Sequence, residues 1–243
     1  MYTPDTSRRN LLLLSNSRDE AGRFLQHTRD DLSDQFAGVC NIVFVPFAGV
    51  TISWDAYANH VAEAMKEIGI VVQSVHGRSD AVSMVRDAEA IAVGGGNTFH
   101  LLANVQRAGL LDVIRERALA GTPYLGWSAG SVIACPTMQT TNDMPITEPD
   151  SFRALGLVQF QINAHFTDAH PLGFQGETRR QRLAEFVTAN ASARVVGLPE
   201  GTWLRVAGAS VELHGQHDAV LFRAGVPDTP IARNVELSGL LEP

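Results

Sequence analysis

The sequence predicts an α/β fold, a mostly parallel central sheet with helices on both faces. Three observations carry this. Short apolar runs alternate with longer stretches of helical periodicity; the apolar runs end in small or polar residues; and the composition, 45% hydrophobic and 19% charged, suits a globular chain with a sizeable core.

Taken in order, NLLLLSNS (10–17), NIVFVPFAG (41–49), GIVVQSVHG (69–77), AIAVGGG (90–96) and PYLGWSAG (123–130) read as buried strands with the loops that follow them. Between them, 53–68, 97–109 and 110–120 carry apolar residues at helical spacing. Strand and helix in succession favour a parallel sheet wrapped on both faces. After residue 197 the pattern changes: TWLRVAG, SVELHG and AVLFRAG are short, alternating and punctuated by glycine, as expected of antiparallel strands or hairpins. With no repeat, low-complexity tract or linker, residues 1–243 are expected to form one domain.

A formal net charge of −7 argues against a general nucleic-acid surface. Cys40 and Cys135 are far apart and form no metal-like pair, so two buried, reduced thiols are expected in a cytoplasmic protein. The four leucines after the polar N-terminus are too short for a signal segment, and no apolar run reaches membrane-spanning length. No cofactor or metal is expected, because no His/Cys/Glu cluster has ligand spacing.

In parallel sheets, functional groups gather at the carboxyl ends of the strands. The loops SNS, PFAGV, GGGNTF and WSAG all follow predicted strands. Within GWSAG, Ser128 stands between glycines in a G-x-S-x-G arrangement, which can expose a serine on a strained strand-to-helix turn or can simply be a tight turn. A helix over about 129–135 would begin at Ala129, whose N–H would face a substrate oxygen. Gly94–Gly96 lack the third glycine of a dinucleotide fingerprint. Two readings remain for that loop: a helix N-cap by Asn97 or Thr98, or a second oxyanion donor at Gly96 if a nucleophile stands opposite.

A serine nucleophile needs a base and the base an orienting carboxylate. Of eight histidines, His165 differs by ending the apolar run LVQFQINAHF; His170 is the nearest rival. Asp143, Asp168 and Glu200 are the candidate acids, and Glu200 also ends an apolar run, beside a proline and a glycine. Trp54, Asp55 and Tyr57 either wall the same sheet edge or begin a helix with core aromatics.

The ordered set LLLLSNS, FVPFAGVT, GGGNTFHLL, GWSAGS, ACPTMQTTNDMPI, QINAHF, GETRRQRL and GLPEGTW closely resembles the peptidase E family of bacterial aspartyl dipeptidases, serine peptidase family S51, over about residues 10–223. The resemblance implies a sheet related to that of class I glutamine amidotransferases and a serine dipeptidase acting on Asp-X. It makes Ser128 the nucleophile, His165 the base, and Glu200 or Asp143 the acid, with Glu200 preferred as the partner of His165. It also makes Gly96 and Ala129 the oxyanion donors, and Asn97, Thr98 and Arg179 (or its neighbour Arg180) substrate contacts. The implied partner is a small aspartyl dipeptide, met by a monomer or homodimer, with no nucleic acid or membrane. Two alternatives stand beside this: a cyanophycinase-like β-aspartyl peptidase, which shares the GxSAG serine, and a catalytically silent binder on the same scaffold. An α/β-hydrolase fits poorly, because its histidine comes late in the chain, whereas His165 lies close behind Ser128 and before Glu200.

Overall fold

Successive side chains of a strand point to opposite faces. Leu11, Leu12, Leu13 and Leu14 are all fully buried, so apolar layers must cover both faces of the sheet they enter. The computed structural model, which describes residues 8–173, 175–233 and 235–240, has that arrangement. The strands in chain order are β1 (Asn10–Leu14), β2 (Asn41–Val45), β3 (Val71–Ser74), β4 (Ala90–Val93), β5 (Tyr124–Trp127), β6 (Gln161–Ala164), β7 (Arg194–Leu198), β8 (Thr202–Ala207), β9 (Ser210–Gly215), β10 (Ala219–Arg223) and β11 (Thr229–Ile231). The helices are α1 (Arg29–Gln35), α2 (Trp54–Lys66), α3 (Ala81–Arg86), α4 (Thr98–Arg107), α5 (Leu111–Leu119), α6 (Ala129–Val132) and α7 (Arg179–Ala189).

The main sheet runs β3-β2-β4-β5-β1-β8-β9. Its first five strands are parallel, and the β8–β9 hairpin is added antiparallel to β1. Leu11, Leu13, Val43, Val45, Ile91 and Val93 face one apolar layer, which holds Val85 of α3, Leu101 of α4 and Ile114 of α5. Leu12, Leu14, Ile42, Phe44 and Trp127 face the other, with Leu32 of α1 and Val61 and Met65 of α2. The predicted mostly parallel sheet with helices on both faces is therefore observed. The helices predicted at 53–68, 97–109 and 110–120 are α2, α4 and α5. α2 starts after Ser53, whose side chain accepts from Ala56 N–H, and α4 starts after Asn97, whose side chain accepts from His100 N–H.

A second sheet, β11-β10-β7-β6, pairs β6 and β7 in parallel and the other strands antiparallel. Ile162, Val196 and Leu198 join the first apolar layer, and α7 covers the opposite side through Leu183 and Val187 against Val195 and Phe222. The antiparallel reading of the segments after 197 holds, but they divide between two sheets: β8 and β9 extend the main sheet, and β10 belongs to the second. Among the described residues, no helix is long and apolar enough to cross a membrane.

Three expectations need correction. The strand in GIVVQSVHG is not buried: β3 is an edge strand of the main sheet, and Val71 is exposed. The helix after GWSAG ends at Val132 instead of about 135. The carbonyls of Ile133, Cys135 and Ala134 accept from the N–H groups of Leu155, Gly156 and Leu157, and Pro136 has no N–H to continue the ladder. The two cysteines are free, but only Cys135 is buried; Cys40 is exposed just before β2.

Candidate active site

The elbow after β5 depends on close packing. A Cβ on Gly126 would lie 2.6 Å from the carbonyl oxygen of Gly130, and one on Gly130 would lie 2.1 Å from that of Val93, so neither position accepts a side chain. Between them, Ser128 adopts φ 52° and ψ −115°. That backbone costs a non-glycine residue of order 1–3 kcal/mol. Its N–H donates to Leu14 O (3.0 Å), and Ser131 Oγ donates to Leu14 O (2.7 Å) and Gly126 O (2.9 Å), binding the elbow to β1.

His165, at the end of β6, also has a positive φ, 54°. Its backbone N–H donates to Ser15 Oγ (2.9 Å), and Ser15 donates onward to Leu198 O at the end of β7 (2.8 Å). The ring thus aims Nε2 at Ser128 Oγ, 2.9 Å away, and Nδ1 at Glu200 Oε1, 2.7 Å away. The tautomer that satisfies both contacts carries its hydrogen on Nδ1, donates to Glu200 and accepts the serine hydroxyl at Nε2. The Glu200 side chain is 66% exposed.

Asp143 does not meet His165. Its Oδ2 accepts from Thr98 N–H (2.7 Å), Thr98 Oγ1 (2.6 Å) and Thr141 Oγ1 (3.0 Å), so it fastens the 141–143 loop to the start of α4. Asn97 donates through Nδ2 to Met144 O (2.8 Å), and Asn142 donates to Ala164 O (2.9 Å), which ties the same loop to the residue before His165.

Gly96 has φ 137°, a conformation other residues rarely adopt, and its absent side chain makes room for Ala48 O at 2.2 Å from the ideal Cβ position. Gly95 lies against Ser128, whose Cβ would be 2.9 Å from a Cβ placed there. Ala129 is the first residue of α6, so its N–H has no acceptor within the helix. α6 has only one turn, so its dipole contributes less than the expected longer helix would.

A cleft of about 780 Å³ opens over these groups; Ser128, His165, Glu200, Asp143, Gly96 and Asn97 all line it. Of the expected substrate contacts, Thr98 is buried beneath Asp143 and Arg179 stands at the start of α7, neither among the lining residues. One guanidinium nitrogen of Arg179 is buried without a hydrogen-bond partner among the described residues, and burial lowers its pKa. Arg180 is engaged elsewhere: it pairs with Asp168 and Asp228 and lies over the rings of Phe166 and Phe222. Asp168 is thereby removed as a partner for His165. Tyr57 lines the cleft, whereas Asp55 pairs with His76 (2.9 Å).

Sequence reasoning missed Ser15, Asn16, Arg18 and His60. The flagged SNS loop holds the first two. Asn16 Oδ1 accepts from Gly201 N–H (2.8 Å), next to Glu200, and Arg18 and His60 line the cleft. Among the described residues, no group of His, Cys, Asp and Glu is arranged to hold a metal ion.

The chain is similar to known proteins over most of its length. A chain of the same fold is the crystal structure of a peptidase from an acI-B1 Actinobacterium, with TM-score 0.71 at 16% identity, covering 98% of this chain and 99% of that one. Peptidase E of Shewanella amazonensis is 46% identical over 230 residues, 95% of this chain and 98% of the relative. Peptidase E of Salmonella newport is 45% identical over 215 residues, 88% and 94% of the two chains. The family model described as peptidase family S51 matches residues 11–214. A match of that extent shows that the chain belongs to peptidase family S51 and is a serine-type dipeptidase.

Proposed function

We infer that this dipeptidase hydrolyses dipeptides with an N-terminal aspartate, Asp-X, through a Ser128–His165–Glu200 relay. The observation that carries the reading is the unbroken line of contacts from Ser128 Oγ through the His165 ring to Glu200, at 2.9 and 2.7 Å. Ser128 Oγ adds to the Asp-X carbonyl carbon while its proton passes to His165 Nε2. Glu200 holds the Nδ1 hydrogen and balances the imidazolium charge. The oxyanion accepts from the N–H groups of Gly96 and Ala129; such a donor is worth ~10²–10³ in kcat. His165 then protonates the leaving amine, the C–N bond breaks, and water resolves the acyl-enzyme by the same route.

Asp143 shapes the acyl side by holding the segment that carries Gly96, Asn97 and Thr98. The aspartyl carboxylate needs a cation, because a desolvated charge without a partner costs several kcal/mol. We assign Arg179 to it on the family resemblance; its guanidinium has a buried nitrogen without an acceptor among the described residues but does not line the cleft. A cytoplasmic setting suits two free thiols, one of them exposed.

The test is hydrolysis of Asp-Leu against Leu-Leu, Glu-Leu and Asn-Leu by wild type and Ser128→Ala, in EDTA. Activity on Asp-Leu alone, abolished in the variant and untouched by EDTA, is the expected result. Equal rates on Asp-Leu and Leu-Leu would overturn the Asp-X assignment.

A further inference from the structure

A dipeptidase must detect that its substrate ends one residue beyond the scissile bond. The chemical mark of that end is a free carboxylate on the leaving residue, and a desolvated carboxylate calls for a cation in the same cleft. Among the described residues lining the cleft, Arg18 is the one arginine or lysine. The cleft's carboxylates are already occupied: Asp19 takes Arg23 Nε at 2.7 Å, Asp143 takes three donors, and Glu200 takes His165. Arg18 forms no ion pair among the described residues; its guanidinium donates to Gly22 O (2.8 Å), approaches His60 Nε2 (3.5 Å) and lies 5.8 Å over the Phe24 ring.

Its position follows from the chemistry of the site. His165 Nε2 must protonate the leaving amine, so the leaving residue lies on the His165 side of Ser128. The loop that carries Arg18 is fixed to that side: Ser15 Oγ accepts from His165 N–H, and Asn16 Oδ1 accepts from Gly201 N–H beside Glu200. Tyr57 lines the same cleft as Arg18. Tyr57 Oη donates to Gly95 O at 3.0 Å, directly behind the elbow.

We propose that Arg18 binds the C-terminal carboxylate of the leaving residue and so restricts the enzyme to dipeptides. The proposal rests on the Ser128–His165 reading of the site but not on the Asp-X assignment. It adds a second cation, for a different carboxylate from the one given to Arg179.

The experiment compares kcat/KM on Asp-Leu and on its C-terminal amide, Asp-Leu-NH2, for wild type, Arg18→Met and Arg18→Lys. A charge-assisted hydrogen bond of this kind predicts an acid-to-amide preference of about 10- to 100-fold in wild type, falling to near unity in Arg18→Met and partly restored in Arg18→Lys. The effect is expected in KM more than in kcat. An equal loss on acid and amide in Arg18→Met would make Arg18 a structural residue and overturn the proposal, as would an unchanged ratio. Should wild type cleave Leu-Leu as well as Asp-Leu, the Asp-X assignment fails, and the same ratio measured on Leu-Leu and Leu-Leu-NH2 still decides the role of Arg18.

Discussion

Ser128 and His165 both carry a positive φ, 52° and 54°, and share a 2.9 Å hydrogen bond across 37 residues of chain. Each non-glycine residue in that region costs of order 1–3 kcal/mol, so the surrounding fold has to hold both in place. β5, α6 and the glycines hold the serine; Ser15 and the end of β6 hold the histidine. Because the two act as a unit, their losses will not add. Ser128→Ala is expected to lower kcat on Asp-Leu by about 10⁴- to 10⁶-fold, and Ser128→Ala/His165→Ala by no more than a few-fold further. A double variant that loses the product of the single effects would show that the two groups work independently.

Glu200 and Asp143 separate by what they touch. Glu200→Gln leaves the fold intact, since the side chain is exposed, but presents the wrong group to Nδ1; kcat should fall by at least about 10²-fold at unchanged Tm. Asp143→Ala leaves the Thr98 N–H without its acceptor and the Thr98 and Thr141 hydroxyls with only each other as acceptors. It should lower Tm as well as kcat, the latter by about 10- to 100-fold through a displaced Gly96. A loss in Asp143→Ala that matches Glu200→Gln at unchanged Tm would place Asp143 in the proton relay instead.

The three residues of the proposed relay were legible because each ends an apolar run within a short motif: Ser128 in GWSAG, His165 in QINAHF, Glu200 in GLPEG. A parallel sheet brings such ends to one edge, so position along a strand became position in the site. The early stop of α6 was not legible, because it is set by residues 155–157, which no local pattern connects to Ile133–Cys135. Nor was the division into two sheets, since β6 and β7 read as apolar runs like β1–β5 and their pairing is decided by long-range packing. Arg18 sits in a loop without periodicity and reaches the cleft only because Ser15 and Asn16 anchor that loop to β6–β8.

Tyr57 links the aromatic core to the Gly94–Gly96 loop. Its hydroxyl accepts from Trp127 Nε1 (2.8 Å) and donates to Gly95 O (3.0 Å), and burial pushes its pKa up to about 12, so it stays neutral throughout the working range. Tyr57→Phe keeps the ring against Phe44 and Trp127 but leaves a buried indole N–H and a carbonyl unpaired. The expected cost is about 1–3 kcal/mol of stability, read by denaturant titration, together with a several-fold drop in kcat from a loosened Gly95–Gly96. Unchanged stability would mean that other groups satisfy both partners once the hydroxyl is gone.

His27 gives the fold a sign-determined pH dependence. The ring lies edge-on to Trp203 at 5.8 Å, and both its nitrogens are buried without a hydrogen-bond partner among the described residues. Burial lowers its pKa below the ordinary value of 6.5, with the nearby Asp19 charge and the Asn16 backbone acting in the opposite direction. As pH falls below about 6.5, the unfolded chain takes up a proton that the folded chain refuses, so stability drops and continues to drop until pH passes the lowered folded value. Above that window the group contributes no pH dependence. His27→Phe preserves the ring contact and removes the titration. Its Tm should therefore match or slightly exceed that of wild type near pH 8, with the gap in its favour widening between pH 7 and pH 5. A gap that stays constant across that range would show that the folded His27 takes up its proton as readily as the unfolded one.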